Sequence, residues 1–133
     1  MSKTLILDND HASLWFHSTA NIVHHQIKKY VYGQQLHEIL DSGYELIKKH
    51  NATKWLSDDR HNGALTAEDA EWTNRDWLPR VAKAGWKYWA IIMPESVIGK
   101  MNMKKHVDEC AAVGVEVKVF SDPDAGLQWL QSK

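Results

Sequence analysis

The chain has 133 residues, and 16 lysines and arginines against 17 aspartates and glutamates give it a net charge of −1. A chain of this length can bury about two-thirds of its unfolded surface, so we expect one globular domain over residues 1–133. The balanced charge provides no field that would concentrate a nucleic acid or an anionic membrane, and we expect neither as a partner.

The single cysteine, Cys110, excludes an intrachain disulfide and a thiolate metal cage. The N-terminus lacks the basic start and apolar stretch of a signal peptide, and no apolar run reaches the roughly 18 residues of a membrane span. We therefore expect a cytoplasmic protein without a membrane span.

The first part of the chain predicts antiparallel strands. Residues 4–7 fit a short extra strand, the alternative being that residues 1–11 are loosely ordered. Residues 12–17 and 21–28 are strand-like and flank a short turn, which indicates a hairpin. A tight hairpin register would place one histidine of the second strand opposite a tryptophan of the first.

That register pairs His24 with Trp15 and His25 with Leu14. Because consecutive strand residues point to opposite faces, His24 and His25 cannot bind one ion together from a regular strand. We therefore expect packing histidines, and no metal or other cofactor.

The middle of the chain alternates helix and strand. Residues 34–50 carry apolar side chains at helical spacing, and residues 54–57 form a short apolar run that predicts a strand. Thr66, followed by acidic residues, is typical of a helix start. Pro79 lies inside this second helix and would remove a hydrogen bond, so we expect a kink or restart near Asp76.

The last part continues the alternation. Residues 88–92 and 115–120 predict two more strands, a third helix is predicted over residues 97–113, and a fourth begins at Pro123. Four side chains of the third helix are assigned to the core: Met101, Val107, Cys110 and Ala111.

The element order is therefore ββαβαβαβα. Strands that alternate with helices imply right-handed crossovers and parallel pairing, whereas the hairpin adds antiparallel pairing. We predict an α/β fold with a mixed, mostly parallel sheet of about five strands and four helices.

Five segments carry a family likeness: LWFH (14–17), VHHQ (23–26), WLSDDR (55–60), AGWKYW (84–89) and VFSD (119–122). Together with the element order, which extends over nearly the whole chain, they resemble the STAS domain of bacterial anti-sigma-factor antagonists. They are most similar to a subgroup of short, stand-alone bacterial STAS-like proteins without an established activity.

The resemblance implies a non-enzymatic regulatory or protein-interaction module. Family members are phosphorylated on a serine or threonine at the loop that enters the second helix, and Ser57 is the nearest candidate here. Asp58 and Asp59 would repel a phosphate with about −1.5 to −2 charges, so the resemblance supports the fold more than this switch. A related shape in the CRAL-TRIO lipid-transfer domains suggests an apolar ligand as the alternative.

We expect the binding site at the loop after the third predicted strand, where α/β folds collect their ligands. Arg60 is the candidate anchor for an anion, Ser57 and Asp58 are candidate polar contacts, and Trp72 and Trp77 are candidate walls. The full set of candidate binding residues is Ser57, Asp58, Asp59, Arg60, His61, Asn62, Trp72 and Trp77.

Other roles for these residues stay open. An Asp–Arg pair can brace a loop without binding anything. A carrier of a small apolar or lipid-like ligand needs an interior cavity of about 300 to 1,000 Å³. A hydrolase using Asp59 and His61 is the least favoured alternative, because neighbours in sequence rarely converge. A homodimer through the hairpin face that bears Trp15 is a further alternative.

Overall fold

The structure, a computed structural model, describes residues 3–133, which form a six-stranded sheet with helices on both faces. Residues 1 and 2 of the segment predicted as an extra strand or a loose start lie outside the described part. The six strands are β1 (Lys3–Asp8), β2 (Ala12–His17), β3 (Ile22–Ile27), β4 (Lys54–Asp58), β5 (Tyr88–Ile92) and β6 (Glu116–Phe120).

The strands lie in the sheet in chain order, from β1 to β6. The pairs β1–β2 and β2–β3 are antiparallel, and the three later pairs are parallel. This confirms the predicted α/β class and mixed sheet. The number of strands is six and not about five, because the N-terminal segment pairs with β2 along its length.

The helices connect the parallel strands and close the chain. They are α1 (Gln34–His50), α2 (Ala67–Trp72), α3 (Leu78–Lys83), α4 (Glu95–Ile98), α5 (Met103–Ala111) and α6 (Pro123–Gln131). A π-helical turn, Thr73–Trp77, joins α2 to α3. The interruption predicted near Asp76 takes this form, and it ends just before Pro79.

The single helix predicted over residues 97–113 is wrong. The chain leaves α4 at Gly99 and restarts at Asn102, whose side chain accepts a hydrogen bond from the Lys105 N–H and caps α5. In α5, Val107 and Ala111 are exposed, against their assignment to the core, whereas Cys110 is buried as expected.

The two faces of the sheet carry separate clusters of apolar side chains. On the first face, α1 packs over β2 and β3 and α5 over β6; on the second face, α6 packs over β4, β5 and β6. The hairpin has the register derived from the sequence, with Trp15 opposite His24 and Leu14 opposite His25. His25 therefore faces the α1 side, and His24 faces the α6 side.

Gly43 determines how closely α1 approaches the sheet. The ring of Trp55, which is fully buried, lies where a Cβ atom on Gly43 would be. The absent side chain thus lets the helix backbone rest on the indole, and two further tryptophans, Trp77 and Trp86, pack against that ring. The helical spacing of residues 34–50 does not reveal this contact.

His17, which is buried, and His24, which is partly buried, form a pair on the second face, next to Trp15. The Nε2 of His17 lies 3.0 Å from the Nδ1 of His24, and the His24 ring is 4.9 Å from that of Trp15. Burial, followed by the charge of His17, lowers the pKa of His24 from its ordinary 6.5 to about 3. A homodimer contact through this face stays a prediction.

Replacing Gly43 by alanine is expected to destabilise the fold. The added methyl group must displace the Trp55 ring, which costs about 1–3 kcal/mol in a packed core and outweighs the helix propensity of alanine. Urea unfolding of G43A measures this loss. The control G99A, whose added Cβ would be 3.7 Å from the nearest atom outside its neighbours, is expected to keep wild-type stability; equal stability of both variants would contradict the packing argument.

Stability is expected to fall as the pH decreases from about 6.5 toward 3 because of His24. Its folded pKa lies below its unfolded value, so the unfolded chain takes up the proton first. Between pH 7 and pH 5 this effect is worth about 2 kcal/mol for one such group. The variant H24Q should lose that part of the pH dependence in urea titrations, and H61Q, changed at an exposed histidine, should retain it. Parallel profiles for wild type and H24Q would contradict the assignment.

Candidate functional site

A pocket of about 250 Å³ opens at the carboxyl ends of the parallel strands, between the first face of the sheet and the helices. Strands β3, β4 and β5, helix α1, the π-helical turn and α5 all contribute to it. Its walls are the side chains of Leu36, Leu40, Leu65, Trp77, Trp89, Ile91, Met93 and Met101, and its polar groups come from His25, Ser57, Asp59, Asn62, Thr73 and His106.

A chain of three side chains sets the polar end of the pocket. The Trp55 Nε1–H donates to the Nδ1 of His25 at 3.0 Å, and the Nε2 of His25 lies 2.9 Å from the Oδ1 of Asp59. An indole nitrogen can only donate, so the His25 Nδ1 must be the acceptor and carries no hydrogen. The hydrogen of the imidazole is therefore on Nε2, which donates to the Asp59 carboxylate.

Backbone hydrogen bonds also hold Asp59 in place. Its N–H donates to the Ile92 carbonyl at 2.9 Å, and its own carbonyl accepts from the Asn62 N–H at 3.1 Å. The Asn62 side chain in turn accepts from the Val31 N–H at 3.2 Å. The carboxylate is thus fixed at the mouth of the pocket before any ligand arrives.

Ser57 lies on the same face of the sheet, two residues after Trp55 on β4. Its hydroxyl accepts a hydrogen bond from the Trp89 Nε1–H at 2.8 Å, and the residue is 1% exposed. The hydroxyl keeps its own proton for donation to another group. Kinase access to this oxygen would require the strand to open locally.

Four tryptophans form the floor beneath the pocket. The rings of Trp55, Trp77, Trp86 and Trp89 contact one another, with centroids 4.9–6.3 Å apart. Each ring N–H already has an acceptor: His25, the Leu40 carbonyl, the Tyr88 carbonyl and Ser57, respectively. Trp77 and Trp89 therefore present aromatic surface, and no free donor, to the pocket.

Two buried polar atoms on the far side have no partner within the described chain. They are the Thr73 Oγ1 in the π-helical turn and the His106 Nε2 in α5. Both residues also line an adjoining pocket of about 220 Å³, which shares Leu65 and Trp89 with the first. Burial lowers the pKa of His106, which favours the neutral imidazole.

Of the eight candidate binding residues, four line the pocket: Ser57, Asp59, Asn62 and Trp77. Four do not: Asp58, Arg60, His61 and Trp72.

Asp58 and Arg60 form a two-point ion pair with each other, at 2.9 and 2.8 Å, because Asp58 faces the α6 side of the sheet. That pairing raises the pKa of Arg60, with the Asp58 hydrogen bond as the largest cause. His61 is exposed, and Trp72 stacks on His37 with ring centroids 3.7 Å apart. Arg60 thus braces the loop and does not line the pocket as an anion anchor.

Several lining residues were outside the sequence-derived set, above all His25, Trp89 and His106. The sequence contained an indication of His25 and Trp89, because parallel pairing of the predicted strands places both on the same face of the sheet as Ser57. No comparable signal existed for His106. Its position depends on the break between α4 and α5, which the helical spacing did not show.

Within residues 3–133, the side chains include no group of three or more histidines, cysteines, aspartates or glutamates arranged to hold a metal ion. Among the described helices, none is long and apolar enough to cross a membrane.

The fold is similar to that of a solved protein of unknown activity. The match is the crystal structure of an uncharacterized protein from the DUF3478 family with a SpoIIAA-like fold, from Shewanella loihica PV-4. It has a TM-score of 0.53 and 17% sequence identity, and it covers 97% of this chain and 92% of the other. No family model and no curated protein matches the sequence. The chain therefore has a SpoIIAA-like fold, the fold of STAS domains.

Proposed function

We propose that this STAS-type module binds a small, largely apolar molecule in the pocket at the carboxyl ends of β3, β4 and β5. The supporting observation is the combination of apolar walls with a few polar groups that converge on one space. That combination is typical of small-molecule sites. Binding, and not chemistry, is the role that we assign to it.

The size of the pocket limits the ligand. Its volume, about 250 Å³, is slightly below the usual range of about 300–1,000 Å³ for ligand pockets. A ring-sized molecule fits this space, whereas a long acyl chain does not. The volume of the pocket therefore favours a carrier or sensor of a compact ligand over the carrier of a lipid-like ligand considered from the sequence.

The loop over the pocket offers a route to regulation. Gly63 packs on the ring of Tyr30, whose hydroxyl donates to the Ala64 carbonyl at 3.0 Å. Tyr30, Tyr32 and Leu65 are 41%, 60% and 41% exposed beside this loop. A partner protein that docks on these exposed side chains would respond to a ligand beneath them. Ligand binding would then control the regulatory interaction that is expected of STAS domains.

The geometry gives less support to the other roles. The Asp59 carboxylate bonds to His25 and makes no hydrogen bond with His61 within the described residues, so the hydrolase lacks its base and acid pair. Both ring nitrogens of His25 are occupied. The burial of Ser57 weighs against its phosphorylation in the folded state.

Filling the pocket is expected to weaken ligand binding. Indole, a neutral ring-sized probe, should shift the Nε1–H signals of Trp77 and Trp89 in ¹H–¹⁵N spectra while those of Trp15 and Trp129 stay in place. The variant M101W, in which the larger side chain occupies the pocket, should reduce the affinity for indole at least about tenfold, since burial of the probe is lost.

The matched control is M103W, the same substitution two residues along and outside the lining. It is expected to bind indole as the wild type does. Equal binding by M101W and the wild type, or shifts that spread evenly over all seven tryptophans, would overturn the proposed site.

A further inference from the structure

We infer that the ligand of this pocket is a protonated amine on a compact ring body, and that the Asp59 carboxylate binds the amine. The inference rests on the proposed function and specifies its ligand. It follows from the charge of the pocket, from the fixed hydrogen-bond pattern of His25 and from the aromatic walls.

The pocket carries negative charge without a compensating cation. No lysine or arginine is among the lining residues. The nearest arginine in sequence, Arg60, is held by both oxygens of Asp58 on the other face of the sheet. The ionisable groups in the lining are Asp59 and two histidines, and of these Asp59 is acidic.

His25 does not neutralise Asp59. A second hydrogen on the imidazole would have to be on Nδ1, where it would point at the Trp55 N–H 3.0 Å away. The hydrogen bond from Trp55 therefore keeps His25 uncharged while its Nε2–H orients the carboxylate. The pair of side chains retains the full negative charge of Asp59.

One oxygen of that carboxylate is left for a ligand. The Oδ1 accepts from His25, and the Oδ2 makes no hydrogen bond or ion pair within residues 3–133. The Asp59 side chain is 24% exposed, which leaves it accessible from the mouth. A charge-assisted hydrogen bond from an ammonium group suits this oxygen, whereas a carboxylate or phosphate would be repelled.

The aromatic walls favour the same cation. Because the N–H groups of Trp77 and Trp89 are already bonded, these rings offer a ligand only their carbon faces and edges, and no hydrogen-bond donor. A cation near a tryptophan face is attracted by the ring electrons, more strongly when it is shielded from water. The Asp59 carboxylate and a tryptophan ring face would both attract an ammonium group.

The lining also contains the polar residues Thr73 and His106, so a ring that carries a hydroxyl group besides the amine is compatible with it. The Thr73 Oγ1 and the His106 Nε2 are themselves closed to solvent, and both residues line the adjoining pocket as well.

Three probes that differ in one group test the inference: tyramine, tyrosol and 3-(4-hydroxyphenyl)propionate. They share a phenol and end in an ammonium, a hydroxyl and a carboxylate, respectively. Isothermal titration, with the Trp77 and Trp89 signals as a check of location, should show that tyramine binds at least about tenfold more tightly than tyrosol. The propionate should bind most weakly.

Variants of Asp59 identify the group responsible. D59N should reduce tyramine affinity about tenfold or more and leave tyrosol affinity within about twofold, because the charge alone is removed. D59E, which keeps the charge, should preserve the order of the three probes. D124N, which removes a carboxylate from an exposed position on α6, should behave like the wild type.

The outcomes separate this inference from the proposed function. Equal affinities for tyramine and tyrosol, with the Trp77 and Trp89 signals still shifting, would overturn the amine assignment and leave the binding pocket standing. Preference for the propionate would have the same consequence. If none of the three probes, and not indole either, shifts those two signals, the pocket itself fails as a binding site and both proposals are overturned.

Discussion

The hydrogen bond from the Trp55 indole to His25 is the interaction on which the site depends. It joins β4 to β3 inside the first face of the sheet, it fixes which nitrogen of His25 carries hydrogen, and it thereby decides the charge of the His25–Asp59 pair. The same indole needs the bare backbone of Gly43 to fit beneath α1. The Trp55 side chain therefore contributes both to the packing of the core and to the charge of the pocket, so a change at Trp55 affects both.

The sheet explains why the polar groups gather where they do. Parallel strands β3, β4 and β5 end at a common edge, and alternation places His25, Ser57 and Trp89 on one face there. Asp58, one residue further along β4, points to the opposite face and is neutralised by Arg60. The two adjacent aspartates therefore have different roles: Asp58 braces the loop, and Asp59 gives the pocket its charge.

The periodicity of the sequence predicted most of this architecture, because strand alternation and helical spacing are local properties. It predicted the first helix and the two strands of the hairpin, whereas the tight turn predicted the hairpin register and Pro79 predicted the interruption of the second helix. It missed the break at Gly99 and Asn102, where two short helices present a continuous helical pattern, and hence the position of His106. The sequence located the candidate loop. It did not show the partners of Asp59 and Arg60, because these depend on the face of the sheet to which each side chain points at the end of β4.

The most direct test of this account is the hydrogen pattern of His25 at pH 7, observed through long-range ¹H–¹⁵N couplings of its ring. We expect a neutral imidazole with hydrogen on Nε2 and a bare Nδ1. A ring protonated on both nitrogens would cancel the charge of Asp59 and contradict the negative pocket. Hydrogen on Nδ1 alone would contradict the hydrogen bond from Trp55.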